Sequence, residues 1–260
     1  MKDDIGNPIF TDFSLDESLE WQMSRAEKYC LMGLMRELSP EVAIEIGTYK
    51  GGSLQVISAN SQRVYSIDIS DSPKKFLSPK FPNVEFVVGD SVNCLTDIFQ
   101  KIEKEGKRLD FILVDGDHTR KGVYRDLEVI FNFPHKHPIT ILMHDSFNPE
   151  CRKGIRTFLE SHPQFVAYAE LDYVTGSYWH NGTYREMWGG LALVRYDPQN
   201  PSQESHINQS QRQLFESTYL HSAHIIKDKL AFLFPLKRKI FKSLGLKNKG
   251  DIYHDFNGGL

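Results

Sequence analysis

The sequence predicts an α/β fold: a doubly wound sheet, mostly parallel with an antiparallel edge strand, plus an N-terminal helix and a C-terminal helical extension. Three observations predict it. Short runs rich in Val, Ile and Phe at 42–46, 64–69, 84–88, 109–114 and 139–143 alternate with helical periodicity, as in a parallel sheet covered on both faces. The first run passes directly into a glycine turn, Gly47-x-x-x-Gly51, and then a helix. The last two strand-like runs, 165–171 and 191–196, have no helical pattern between them, which makes them an antiparallel pair at the sheet edge.

In chain order, residues 1–40 read as an irregular arm and a helix. Ser14-x-x-Glu17 matches a capping box, Leu15, Leu19, Met23 and Ala26 open an apolar stripe running to Leu38, and Pro40 closes it. Residues 41–197 form the α/β unit, with helices starting at Ser53, ending near Glu105, and covering 121–131 and 151–161. The stretch 198–210 is polar and rich in breakers, so it reads as a linker. Residues 211–260 follow as a basic amphipathic extension, helical over 211–244 with an interruption at Pro235. Between 227 and 249 eight Lys and Arg residues face one acid, Asp228, and are interleaved with Phe232, Phe234, Leu236, Ile240, Phe241 and Leu244. That pattern suits peripheral contact with an anionic membrane. A helix packed on its own domain or on a second copy in a homo-oligomer fits the pattern too, and this simpler reading is preferred, because periodicity alone does not name a partner.

Composition narrows the function classes. With 31 Lys and Arg against 34 Asp and Glu, net −3, the chain is not a strongly basic nucleic-acid binder. Three scattered cysteines without C-x-x-C argue against a disulfide framework or a thiolate zinc site, and suit a reducing, cytoplasmic setting. The start, Met-Lys-Asp-Asp, lacks an apolar signal region, and no apolar run reaches the ~18 residues that spanning a membrane requires.

Open α/β sheets bind ligands outside the carboxyl ends of their strands. Acids stand at five successive strand ends here: Glu45, Asp68, Asp90, Asp115 and the pair His144-Asp145. Turn formation and helix capping explain one or two of these, but not all five. A dinucleotide turn follows G-x-G-x-x-G and must accept a pyrophosphate. This turn has only Gly47 and Gly51, and Glu45 places at the strand tip a charge that opposes phosphate. A ligand with an ammonium and a sulfonium suits that charge, and S-adenosylmethionine is one. Asp68 is placed to accept both hydroxyls of a ribose, and Asp90 with Ser91 to meet an adenine edge.

These residues resemble the class I S-adenosylmethionine-dependent methyltransferases, whose fold is Rossmann-like. Glu45-Ile-Gly47-Thr48-Tyr49-Lys-Gly51-Gly-Ser53 is similar to the first motif of the metal-dependent O-methyltransferases. Val114-Asp115-Gly-Asp117-His118, continuing to Asp126, resembles the branch holding macrolide-sugar O-methyltransferases and cephalosporin-hydroxylase-like proteins. The likeness covers about residues 40–196. It implies Gly47 and its neighbours at the methionine part of the cofactor, Asp68 at the ribose, Asp90 and Ser91 near the adenine, and a catalytic His118. It further implies a divalent metal, Mg or Mn, held by Asp115, His144 and Asp145. Relatives more often carry a carboxylate at position 144. Imidazole suits Mn, Fe, Co or Zn better than Mg, so either the metal differs, or His144 stands behind the ligands, or no metal binds.

The reaction so implied is attack of a hydroxyl of a sugar or other small metabolite on the sulfonium methyl. It needs the oxygen held ~3–3.5 Å away and in line. It also needs a base for the hydroxyl proton, and His118 is the candidate; the alternative is a loop histidine that caps the helix near Lys121. Acceptor recognition falls to the aromatic, glycine-bearing loop 173–188, with Tyr178, Trp179, His180, Tyr184, Arg185 and Trp188; a cover for the sheet edge or a dimer contact explains the aromatics equally well. From another class, the chain could be a non-catalytic cofactor-fold module that docks a partner or membrane through its basic tail.

Overall fold

The computed structural model describes residues 15–16, 18–180, 185–200 and 207–229. The arm 1–13, the Ser14–Glu17 box and the basic stretch beyond Lys229 lie outside them. Strands β1 (Val42–Ile46), β2 (Arg63–Asp68), β3 (Val84–Val88), β4 (Leu109–Val114) and β5 (Ile139–His144) alternate with helices α2 (Gly52–Asn60), α3 (Ser72–Leu77), α4 (Ser91–Lys104) and α5 (Arg120–Asn132). Helix α6 (Pro149–Ser161) leads to β6 (Val166–Val174), a separate hairpin of β7 (Ser177–His180) and β8 (Arg185–Trp188), then β9 (Leu191–Tyr196) and β10 (Ile207–Asn208). The main sheet runs β10-β6-β9-β5-β4-β1-β2-β3. Every pairing in it is parallel except those of β9, which is antiparallel to both β5 and β6.

The antiparallel strand is therefore present but interior: β9 inserts between β5 and β6, and β10 occupies the edge. β10 falls within the stretch expected to be a linker, so residues 207–208 belong to the sheet.

Period-two alternation sorts the strands into two layers. Val42, Ile44, Ile46, Ile112, Val114, Ile141 and Met143 pack under α4, α5 and α6. Ala43, Val64, Phe111, Leu113 and Leu142 pack under α2 and the N-terminal helix α1 (Arg25–Leu38). Glu45 is in phase with Ala43, so the same alternation sends its side chain into the second layer.

α1 starts later than expected, because the box that caps it is Ser24-x-x-Glu27. Ser24 Oγ accepts from Glu27 N (3.3 Å) and Glu27 Oε2 accepts from Ser24 N (2.6 Å). Residues 18–24 run irregularly, yet Leu19 and Met23 are buried against the second layer. Ser24→Ala is expected to lower stability by about 1 kcal/mol in urea denaturation, the usual loss of an N-cap.

The C-terminal segment contributes α7 (Arg212–His221) and α8 (His224–Lys229). A buried ion pair anchors it: Arg152 on α6 meets Asp172 on β6 at 2.7 and 3.1 Å, Asp172 Oδ2 also accepts from Gln211 N, and the Arg152 guanidinium lies 4.2 Å from the Phe215 ring centre. Among the described residues no helix is long and apolar enough to cross a membrane.

Candidate active site

The strand order reverses between β1 and β4, the position where open sheets leave a crevice. Gly47 ends β1 there with φ +92°, and a Cβ would stand 2.0 Å from the Asp115 carbonyl oxygen. Only glycine lets the two strand ends close to this distance. The turn that follows wraps Asp68. Thr48 N and Tyr49 N donate to its Oδ2 (3.1 and 3.0 Å), and Ser70 N donates to Oδ1 (2.8 Å). Tyr49 itself takes a positive φ of 48°, and Gly51 is the N-cap residue before α2. From the other side, Glu20 accepts from the Tyr49 hydroxyl and pairs with Lys50, so the segment before α1 straps the turn. Ile69, next to Asp68, is 82% exposed, an apolar surface that the sequence reading passed over.

Glu45 does not sit at the crevice. It is fully buried, accepting from Ser53 Oγ (2.6 Å) and Ser66 Oγ (2.9 Å), while Thr48 Oγ1 bonds Ser66 Oγ (2.6 Å). Burial pushes its pKa up to about 8, against the two serine hydrogen bonds, so it is largely uncharged at neutral pH. The expectation of a negative charge at the strand tip is corrected: the pleat directs this side chain between strand and helix. Ser53 is used in holding it. Asp90 caps α4 by accepting from Val92 N (3.1 Å), and Ser91 Oγ donates to Asp126, a buried carboxyl whose pKa desolvation raises to about 6.

The ends of β4 and β5 bring the remaining residues together. His144 Nδ1 donates to Asp115 Oδ1 (2.8 Å) and stands 3.8 Å from Asp145 Oδ2. His118 Nδ1 meets Asp145 Oδ2 at 2.7 Å. Asp145 is held with φ 56°, unusual for a residue other than glycine, and its Oδ1 accepts from Gly189 N (2.6 Å). Burial acts to lower the pKa of both histidines, but the facing carboxylates outweigh it and raise both. Asp145 moves the opposite way: burial would raise it, and the two histidines hold it well below the usual carboxylate range. His118 does not cap α5; Thr119 does, accepting from Gly122 N (3.0 Å).

Sequence reasoning missed Glu27. It is 2% exposed, its Oε1 accepts from Gly190 N (2.6 Å), and the same oxygen stands 3.2 Å from His144 Nε2. That approach is an ion pair, off the line of a hydrogen bond. Its S-x-x-E motif was the available signal.

Asp115, His144 and Asp145 offer two carboxylate oxygens and one imidazole nitrogen, all within 4.8 Å of one another. The donor set fits a divalent cation that accepts nitrogen, Mn²⁺ before Mg²⁺.

The aromatic segment is a hairpin, and its register divides the expected acceptor residues. Trp179 pairs with Glu186 and Ser177 with Trp188, on one face; Tyr178 pairs with Met187, on the other, and the backbone of His180 pairs with that of Arg185. Trp188 stands edge-on to the His118 ring at 6.2 Å and donates from Nε1 to the buried Glu186 (2.9 Å). Tyr178 instead donates to the His221 carbonyl (2.9 Å), and the Arg185 carbonyl accepts from Ala223 N (2.7 Å). Both of these residues thus meet the C-terminal segment. The side chain of His180 and the whole of Tyr184 lie outside the described residues.

Residues 44–146, less than half of the chain, match a family model described as a methyltransferase domain. No curated protein matches. Among solved structures, the chain is similar to an O-methyltransferase from Bacillus cereus in complex with S-adenosylhomocysteine, at 19% identity over 69% of this chain and 84% of that one, with a TM-score of 0.47. It is also similar to TomG of Streptomyces achromogenes, an O-methyltransferase involved in tomaymycin synthesis and solved with S-adenosylmethionine (17%, 73% and 94%, 0.49). A third is an S-adenosylmethionine-dependent O-methyltransferase from Thermotoga maritima (10%, 68% of each chain, 0.47). The stretch 44–146, which spans the glycine turn and the Asp115–Asp145 cluster, matches the model of a methyltransferase domain and lies in a mostly parallel, Rossmann-like sheet.

Proposed function

We propose that the protein is an S-adenosylmethionine-dependent O-methyltransferase that modifies a hydroxyl of a small metabolite, a sugar ring among the candidates, with His118 as general base. The observation that supports this reading best is the His118–Asp145 pair beside Asp115 and His144, at the strand ends of a methyltransferase domain. Asp145 takes the Nδ1 side of His118, which leaves Nε2 to receive a proton from the acceptor. The raised pKa of His118 makes it a stronger base than a free imidazole.

S-adenosylmethionine supplies the activated methyl group. Asp68 has lone pairs beyond its three amide bonds to accept a ribose diol, Ile69 offers an apolar wall for the base, and Lys50 is paired with Glu20 rather than available to a phosphate. Asp115, His144 and Asp145 would hold a divalent cation, which supplies positive charge that lowers the pKa of a nearby hydroxyl. Trp179 and Trp188, on the hairpin face that meets His118, provide flat apolar surface for the acceptor. The three free cysteines accord with a cytoplasmic setting. Contact of the 227–249 stretch with a membrane, or pairing of two chains through it, belongs to this reading only as an addition.

The test is thermal denaturation with S-adenosylhomocysteine, S-adenosylmethionine and NAD. A saturating nucleoside at about 100 times its Kd should stabilise by about 2.7 kcal/mol. A rise in Tm with the two sulfur nucleosides and none with NAD is expected; a response to NAD alone would overturn the proposal.

A further inference from the structure

We infer that Glu27 is a positioning residue for the cation-binding cluster: it fixes the His144 ring so that Nδ1 faces Asp115 and Asp145. The inference rests on the reading that these three residues hold a cation. Position 144 carries an imidazole, and an imidazole is a directional ligand only when its ring orientation and tautomer are set from the far nitrogen. The far nitrogen here is Nε2, and the Glu27 carboxylate is its ion-pair partner, with Oε1 at 3.2 Å on the side of the ring away from Asp115, so charge attraction rather than an aligned hydrogen bond holds that side.

Glu27 cannot drift. Its Oε2 accepts from Ser24 N and its Oε1 from Gly190 N, so helix α1 and the turn before β9 clamp it from two directions. The adjacent Gly189 N holds Asp145, so one turn registers both the ligand carboxylate and the carboxylate behind the ligand imidazole. Gly190 takes φ +84°, and a Cβ there would meet Ser146 Oγ, Gly176 N and Phe147 at 3.0–3.1 Å, so the turn has little room to relax. No local pattern would reveal this, since Glu27 and Gly190 are 163 residues apart.

Glu27→Gln tests the arrangement. Both carboxylate oxygens accept from backbone amides, so a glutamine must point its NH₂ at a donor on one side and lose its grip. Cobalt(II) chloride is titrated into the full chain without nucleoside or acceptor, and binding is read from the visible d–d bands. Glu27→Gln is expected to weaken Co²⁺ binding by about 10–100-fold, the usual loss for such a partner, with affinity for S-adenosylhomocysteine unchanged. Glu27→Asp keeps the charge and the helix cap but retracts by one methylene, and should show the same direction of effect in a chain that still folds. Ser24→Ala, which removes a cap bond and leaves the Glu27 carboxylate in place, should lower Tm and leave Co²⁺ affinity alone.

A sign reversal separates positioning from mere structural support. In a His144→Glu background a carboxylate at 27 repels the new ligand, so Glu27→Gln should there strengthen Co²⁺ binding. Equal Co²⁺ affinity for the wild type and both Glu27 variants overturns the inference, as does the same loss in either background. A wild-type chain that binds S-adenosylhomocysteine but develops no Co²⁺ bands overturns the cation reading, and this inference with it.

Discussion

His118→Ala is expected to lower kcat by about 10²–10⁴-fold, equivalent to roughly 3–5 kcal/mol of transition-state stabilisation, while S-adenosylhomocysteine binds as before. The separation follows from where the ring stands. His118 touches Asp145 and the edge of Trp188, and neither the Gly47–Gly51 turn nor Asp68 depends on it. Its one competing local role, the cap of α5, is filled by Thr119, so removing the ring leaves that helix start intact. The pH profile gives a second readout. Only the neutral ring accepts a proton at Nε2, and the Asp145 and Asp115 charges raise the pKa of the ring despite its burial. The acid limb of kcat/KM should therefore lie above the ordinary histidine value, with rate rising as pH rises through it, and should vanish in the variant. A loss of nucleoside affinity matching the loss in rate would show that His118 belongs to the cofactor site instead.

What the sequence made legible, and what it hid, divides along the range of the interactions involved. The five parallel strands were readable because each is a short, mainly apolar and β-branched run; β1, β2, β4 and β5 are buried on both faces, while in the edge strand β3 only Phe86 is fully buried. The order Asp68, Asp115, His118, His144, Asp145 was readable because strand ends line one rim in this topology. The start of α1 was not: Ser14-x-x-Glu17 and Ser24-x-x-Glu27 match the same local rule. The second box is distinguished by what Glu27 meets at Gly190 and His144, contacts that exist only in the folded chain. The insertion of β9 between β5 and β6 was likewise hidden, because chain order fixes which strands exist and not which gap a returning strand enters. The hairpin faces depended on register, which period-two alternation leaves open until a partner strand is known.

Glu45→Gln is expected to make stability less sensitive to pH and to leave nucleoside affinity unchanged. The folded chain raises the pKa of Glu45 from 4.5 to about 8, burial being the main cause. The sign follows from proton counting. Between those two values the unfolded chain releases the proton and the folded chain keeps it, so stability falls as pH rises through the window. Each full unit of pH removes about 1.4 kcal/mol, roughly 5 kcal/mol across the window as an order of magnitude. A glutamine carries no proton to lose, and its amide still fits between two serine hydroxyls that can rotate to donate or accept. Urea denaturation at pH 5, 6.5 and 8 should show the variant gaining on the wild type at each step upward. Parallel curves would mean that Glu45 is ionised in the fold, and a concurrent loss of S-adenosylhomocysteine binding would mean that its charge reaches the ligand. Sequence position alone favours that last outcome, since Glu45 stands two residues before the glycine turn; the pleat opposes it, by turning the carboxyl away from the crevice and into the layer beneath α2.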